Sequence, residues 1–207
     1  MGTWDDGLYD NDSALDLVGR LVKLPALDAP PSELVVGIGL VAWLQPVVLK
    51  LRGAGHVEAA LAHGEALPAD AREVLAGLAR DLEGGLAVRS RSAAAKAALG
   101  GYNNGTRFDA LLRVPGGQAG IDALGERAGE VLDGADDGDL YEAAGDFAAL
   151  GVIVELVDAG LWKPAPARVA EWRARFERAD AGSREEREFW DSYAARVRLG
   201  FDLVSRA

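Results

Sequence analysis

The stretch that most constrains the fold is Leu34-Val-Val-Gly-Ile-Gly-Leu-Val-Ala-Trp-Leu44, followed after Gln45 and Pro46 by Val47-Val-Leu49. A bilayer-spanning helix needs about 20 apolar residues. Glu33 and Lys50 bracket a shorter run, interrupted by Gln45 and Pro46, so a membrane span is not expected. The β-branched content and the paired glycines, Gly37 and Gly39, would also suit a strand, because short apolar runs are ambiguous by period. The better reading is a central helix buried on most sides and kinked or ended near Pro46, since proline removes a helical donor and clashes with the preceding turn.

The rest of the chain reads as helices around such a centre. Ser13 with Asp16 fits a capping box opening a helix over 13–23, with Leu15, Val18, Leu21 and Val22 on one face. Leu24-Pro25 and Pro30-Pro31 stop it, and Ser32 is a good N-cap for the apolar run. A short helix over 56–63 and one over 68–83 follow, the second with Val74, Leu75, Leu78 and Leu82 as an apolar stripe. In the stretch 86–120 the alanine-rich Ser92 to Leu99 should be helical, but the stretch is locally basic and broken by Gly100-Gly101, Asn103-Asn104-Gly105 and Pro115-Gly116-Gly117, as a surface loop or domain junction would be. Helices are expected over 121–132, 140–159, 167–179 and 183–205. The third-last wraps apolar residues around more than one face, and the last carries Phe189, Trp190, Tyr193, Val197, Phe201 and Val204 at helical spacing.

The expected class is therefore all-α, a bundle of about eight to ten helices. Asp5-Asp6-Gly7-Leu8-Tyr9 and Asp136-Asp137-Gly138-Asp139-Leu140-Tyr141 echo each other before apolar helices, which suggests two similar halves. The expected division is an N-terminal helical domain over 1–85, a connecting region over 86–120 and a C-terminal helical region over 121–207.

The opening Gly2-Thr-Trp4-Asp-Asp-Gly7-Leu-Tyr9-Asp10-Asn11-Asp12-Ser-Ala14-Leu-Asp16 resembles the start of the DUF4259 domain family, an uncharacterised bacterial group. Tyr9 stands where phenylalanine is usual and Asp5 where glycine is usual. The likeness is specific over about sixteen residues and looser to about Glu83. It implies a helical bacterial domain and supplies no catalytic residues.

The chain has no cysteine, which excludes thiolate metal sites, disulfides and cysteine nucleophiles and fits a reducing cytoplasm. The opening has neither a basic nor an apolar leader-like segment, so a cytoplasmic location is expected. His56 and His63 lie seven apart, too far for the i, i+4 pair of a zinc helix. No nucleophile elbow, P-loop or complete dinucleotide motif is present. No cofactor is expected.

A net charge of -11 argues against nucleic acid and favours a basic partner. The charge is uneven. Residues 165–207 carry 9 arginines against 8 acids, residues 122–158 hold eleven acids and one base, Arg127, and residues 5–16 hold five acids and no base. If these two acidic segments meet they form a negative face, with Asp133, Asp136, Asp137, Asp139 and Glu142 the candidate partner-binding residues. Asp5, Asp6, Asp10, Asp12 and Asp16 are read as capping and turn residues, with a metal site as the rival use. The leading expectation is a non-enzymatic domain binding a basic protein, in the manner of an immunity-type inhibitor. The alternative is a metal-dependent hydrolase built on the N-terminal carboxylates.

Overall fold

The computed structural model describes residues 7–9, 12–82, 91–100, 108–182 and 187–207. These form eleven α-helices and one 3-10 turn, with no strand among the described residues. None of these helices is long and apolar enough to cross a membrane. The chain divides into two compact units. One comprises Met1–Leu21, Arg91–Tyr102 and Leu124–Ala207, the other Val22–Ser90 and Asn103–Ala123. This differs from the expected contiguous division, since the first helix belongs with the C-terminal segment.

The second unit is built on α2 (Pro31–Leu44), whose apolar run buries ten residues from Leu34 to Leu44. It starts at Pro31 rather than after Ser32, because proline's fixed φ and missing N–H suit the first helical position. The two glycines that left a strand open are explained by close approach. A Cβ on Gly37 would lie 2.6 Å from the Pro25 ring, and one on Gly39 would lie 3.0 Å from Leu111. Around α2 sit α3 (Pro46–Arg52), α4 (Ala54–Ala62) and α7 (Asp109–Leu112), and α5 (Ala69–Asp81) packs on α4 and α7. Gln45 ends α2 and Pro46 opens α3, as the proline predicts. α7 falls inside the region expected to be irregular.

The first unit surrounds α9 (Leu140–Asp158), apolar on nearly every side, with thirteen buried residues. Burying a large aliphatic or aromatic side chain is worth about 1.5–3 kcal/mol, so such a helix is stable only when neighbours cover it all round. α1 (Asp12–Leu21), α6 (Ala93–Leu99), α10 (Pro166–Gly182) and α11 (Arg187–Arg206) supply that cover. Phe147 of α9 meets Phe176 of α10 edge to face at 5.2 Å, and Phe176 meets Phe201 of α11 at 6.0 Å. Tyr9, fully buried, lies against Gly151, where a Cβ would come within 2.5 Å of its ring.

α1 begins at Asp12, so Ser13 sits inside its first turn rather than at the cap, and the position before the helix falls on Asn11, outside the described residues. At its other end Arg127 of α8 (Gly117–Gly134) donates to Leu21 O at 3.1 Å, placing a cation on the negative end of the helix. α8 starts four residues earlier than the sequence predicts, because Gly116 takes the positive φ of the turn and frees Gly117 to join the helix. The echo between the two Asp-Asp-Gly segments does not place its tyrosines alike: Tyr9 is buried and Tyr141 is 52% exposed.

Candidate functional site

The acidic loop between α8 and α9 is held by arginines of α10. Asp133, at the end of α8, accepts from Arg168 Nε at 3.2 Å and Nη2 at 2.7 Å and from Trp172 Nε1 at 2.6 Å. Arg168 also reaches Glu126 through Nη1 at 2.6 Å and stacks over the Trp172 ring at 5.1 Å. The Arg168 hydrogen bond holds the Asp133 carboxyl below the usual carboxylate range against the opposing effect of burial, with Trp172 adding to it. Gly129 makes room for this guanidinium, since a Cβ there would lie 2.7 Å from Arg168 Nη2. Arg178 Nε donates to Asp137 at 2.8 Å and lowers its pKa, and Arg175 donates to Ala135 O at 2.9 Å. Positions 168, 175 and 178 are spaced seven and three apart, which puts them on one side of a helix.

The other two aspartates of the loop serve the backbone. Asp136 Oδ1 accepts from Gly138 N at 2.7 Å, and Asp139 caps α9 by accepting from Tyr141 N at 2.7 Å. Of the five expected partner-binding residues, four therefore have internal work: Asp133 and Asp137 in ion pairs, Asp136 and Asp139 in turn and cap. Glu142, exposed in the first turn of α9, is the one of the five with no ion pair or hydrogen bond among the described residues. Arg168 and Arg178 of the arginine-laced C-terminal segment are thus counter-charges of the acidic loop, while Arg173 and Arg198 pair with Asp202, Glu177 and Asp180 of that segment itself.

Of the first acidic segment, the described helix α1 packs on α9, and Ser13 approaches Gly145. Asp16 is exposed on α1. Asp146 lies one turn beyond Glu142, and its pKa is raised by burial, a shift that the charge of Arg20 opposes and that of Asp136, to a lesser degree, reinforces. Close by, the buried Tyr193 hydroxyl donates to Ala144 O at 2.9 Å, and its pKa is raised by burial and by the charge of Asp146. After the arginines of α10 have taken Asp133 and Asp137, Glu142 and Asp146 remain one turn apart at the start of α9, with the charge of Arg20 acting on Asp146.

Of the N-terminal carboxylates, Asp5, Asp6, Asp10 and the side chain of Asp12 lie outside the described residues. Among the described residues, no three His, Cys, Asp or Glu side chains are grouped so as to hold a metal ion. His56 is positioned by backbone carbonyls, Arg52 O at 3.2 Å from Nδ1 and Pro25 O at 3.1 Å from Nε2, while His63 is an exposed C-cap of α4.

One polar feature escaped the sequence reading. Arg91 and Glu155 pair in the interior, and beside them Ser92 N donates to Asp158 Oδ2 at 3.2 Å while Ser92 Oγ caps α6 through Ala95 N at 3.1 Å. The signal was Glu155 itself, one carboxylate between Val154 and Leu156 in a segment apolar on every side.

Geometry thus defines the first unit as a helical domain with an arginine-buttressed acidic loop. No family model, curated protein or solved structure matches the chain.

Proposed function

We propose that this chain is a non-catalytic protein-binding domain, and that a basic partner docks at the start of α9 around Glu142 and Asp146. The supporting observation is Asp146: half-buried and one turn from Glu142, it keeps a carboxylate where burial disfavours charge and where the nearby charge of Arg20 offsets that only in part. A lysine or arginine delivered from outside adds to that offset, and complementary charge also speeds encounter and selects the partner. The carboxylates of the loop define the rim but are already balanced by α10, so the binding charge is smaller and more local than the net charge of -11 suggests. An immunity-type inhibitor of a basic effector is the specific case favoured by size and charge. The likeness to DUF4259 at residues 2–16 adds no activity to this reading.

Affinity capture from the source cell at two ionic strengths tests it. A basic protein retained at low salt and released as salt rises is expected, because screening shortens the Debye length from about 10 Å at 0.1 M to 3 Å at 1 M. Recovery of no basic protein, or of one indifferent to salt, removes the proposal.

A further inference from the structure

His56, in the first turn of α4, sets both of its ring nitrogens on backbone carbonyls: Nδ1 lies 3.2 Å from Arg52 O and Nε2 3.1 Å from Pro25 O. Arg52 closes α3, and the joint to α4 is held by Gly53 N on Leu49 O at 2.7 Å and by Val57 N on Gly53 O at 2.9 Å. Arg52 O is thus one of the acceptors that a helix end leaves over. Pro25 belongs to the loop before α2, and its ring is seated against Gly37, where a Cβ would lie 2.6 Å from it. Among the described residues, no backbone N–H reaches either oxygen. One imidazole therefore ties together the end of α3, the start of α4 and the Pro25 loop, all within the second unit.

A carbonyl oxygen only accepts, so each of the two bonds needs an N–H on the ring. Neutral imidazole carries one and imidazolium two. Whichever nitrogen of the neutral ring keeps its proton, the other turns a lone pair toward a carbonyl oxygen. The complete clamp requires the charged form, and histidine is the side chain that ordinarily changes charge between about pH 5 and 8.

The cation rests on these two carbonyls. The segments packed on α4 carry Lys23 and Asp28 in the loop, Glu33 in α2, and Lys50 and Arg52 in α3. α5 carries Asp70, Arg72, Glu73 and Arg80, and α4 itself Glu58. Among the described residues, none of these side chains is hydrogen-bonded or ion-paired to His56. The negative end of α3 favours a charge at this position, and the positive end of α4 opposes it.

We propose that His56 is a proton-operated latch: the imidazolium holds Arg52 O and Pro25 O together, and loss of its proton lets one of them go, loosening the α3–α4 joint or the Pro25 loop.

Proton NMR and amide exchange of the full chain between about pH 5 and 8 test this. The chain has two histidines, and His63, exposed at the end of α4, is the internal reference. At the acid end and low temperature, two ring N–H protons of His56 are expected to be protected from water and those of His63 not. At the alkaline end, at most one of the His56 pair remains. Corrected for the pH dependence of exchange itself, opening of the joint, read at the Gly53 and Val57 amides, or of the loop, read at the Ala29 amide bonded to Ala26 O, is expected to rise about tenfold over this range, the scale of one charge-assisted hydrogen bond. His56→Gln is expected to abolish that dependence and His63→Gln to keep it, with thermal melting to confirm that both stay folded. Fewer than two protected His56 ring protons at the acid end, exchange that is flat across the range at all three amides, or a pH dependence that survives His56→Gln overturns the proposal, and the ring protons are read on the unaltered chain.

Discussion

Arg91 and Glu155 form an ion pair in the interior of the first unit, their side chains 1% and 0% exposed. Glu155 sits in the last turn of α9, whose core-facing residues are buried, and Arg91 enters from the segment leading into α6. Desolvating two charges is expensive, and their mutual attraction offsets it only while both are present.

Removing one partner strands the other charge in a low-dielectric interior. Glu155→Leu and Arg91→Met are each expected to destabilise the chain by about 3–5 kcal/mol, while the double variant returns most of the loss or exceeds wild type. Urea unfolding of the three variants checks this. Equal losses in the double and single variants would show that the pair holds the local structure in place rather than merely tolerating its burial.

Gly151 gives the opening segment its seat. Tyr9 lies so close that a methyl group at Gly151 must displace its ring, and Gly151→Ala is expected to cost about 1–3 kcal/mol as overpacking. The same change at Gly19, where open space surrounds the position, is expected to be neutral or slightly stabilising, as alanine improves helix propensity. Thermal melting of the pair separates the close contact from the general effect of removing a helical glycine.

Asp133 is expected to stabilise the fold at neutral pH. Its folded pKa lies below the unfolded value of about 3.9, so the contribution is complete above that value and is lost as pH falls through the folded one. Asp133→Asn should cost about 1 kcal/mol at pH 7, the scale of an exposed but well-aligned pair. The wild-type advantage should shrink as pH is lowered from 4. Chemical unfolding at pH 7 and at successively lower pH reads this directly.

Asp146 behaves in the opposite sense. Its folded pKa is raised, so the fold favours its protonated form, and the associated stability is complete below the unfolded pKa and is lost as pH rises through the folded one. Asp146→Asn is therefore expected to raise the melting temperature at pH 7, with a smaller gain near pH 4. A residue kept at a cost to stability is the pattern expected of a binding position.

How far the sequence displays this architecture depends on the range of each interaction. α2, α5, α9 and α10 are legible because their signals are local: Pro46 after an apolar run, the stripe of Val74, Leu75 and Leu78, the apolar run through Leu150 to Val157, and Pro164 with Pro166 before a new helix. α7, of four residues, is too short for periodicity to reveal. The assignment of α1 to α9 follows from tertiary need, since an all-apolar helix takes whichever amphipathic neighbours can cover it. The acidic loop is conspicuous in the sequence, but its pairing is not: Arg168 lies 35 residues beyond Asp133, and no spacing rule joins an aspartate at one helix end to an arginine on the next helix but one. Counting charge by segment consequently overstates the free negative surface.

The proposed binding role is tested most directly by comparing two variants in the same capture experiment. Glu142→Gln with Asp146→Asn removes the two carboxylates that the α10 arginines do not pair, while Asp133→Asn with Asp137→Asn removes those that they do. The first variant is expected to stay at least as stable as wild type and to lose a salt-sensitive basic partner; the second is expected to melt lower and retain that partner once folded. Undiminished capture by the Glu142 and Asp146 variant would contradict the proposed role of this face.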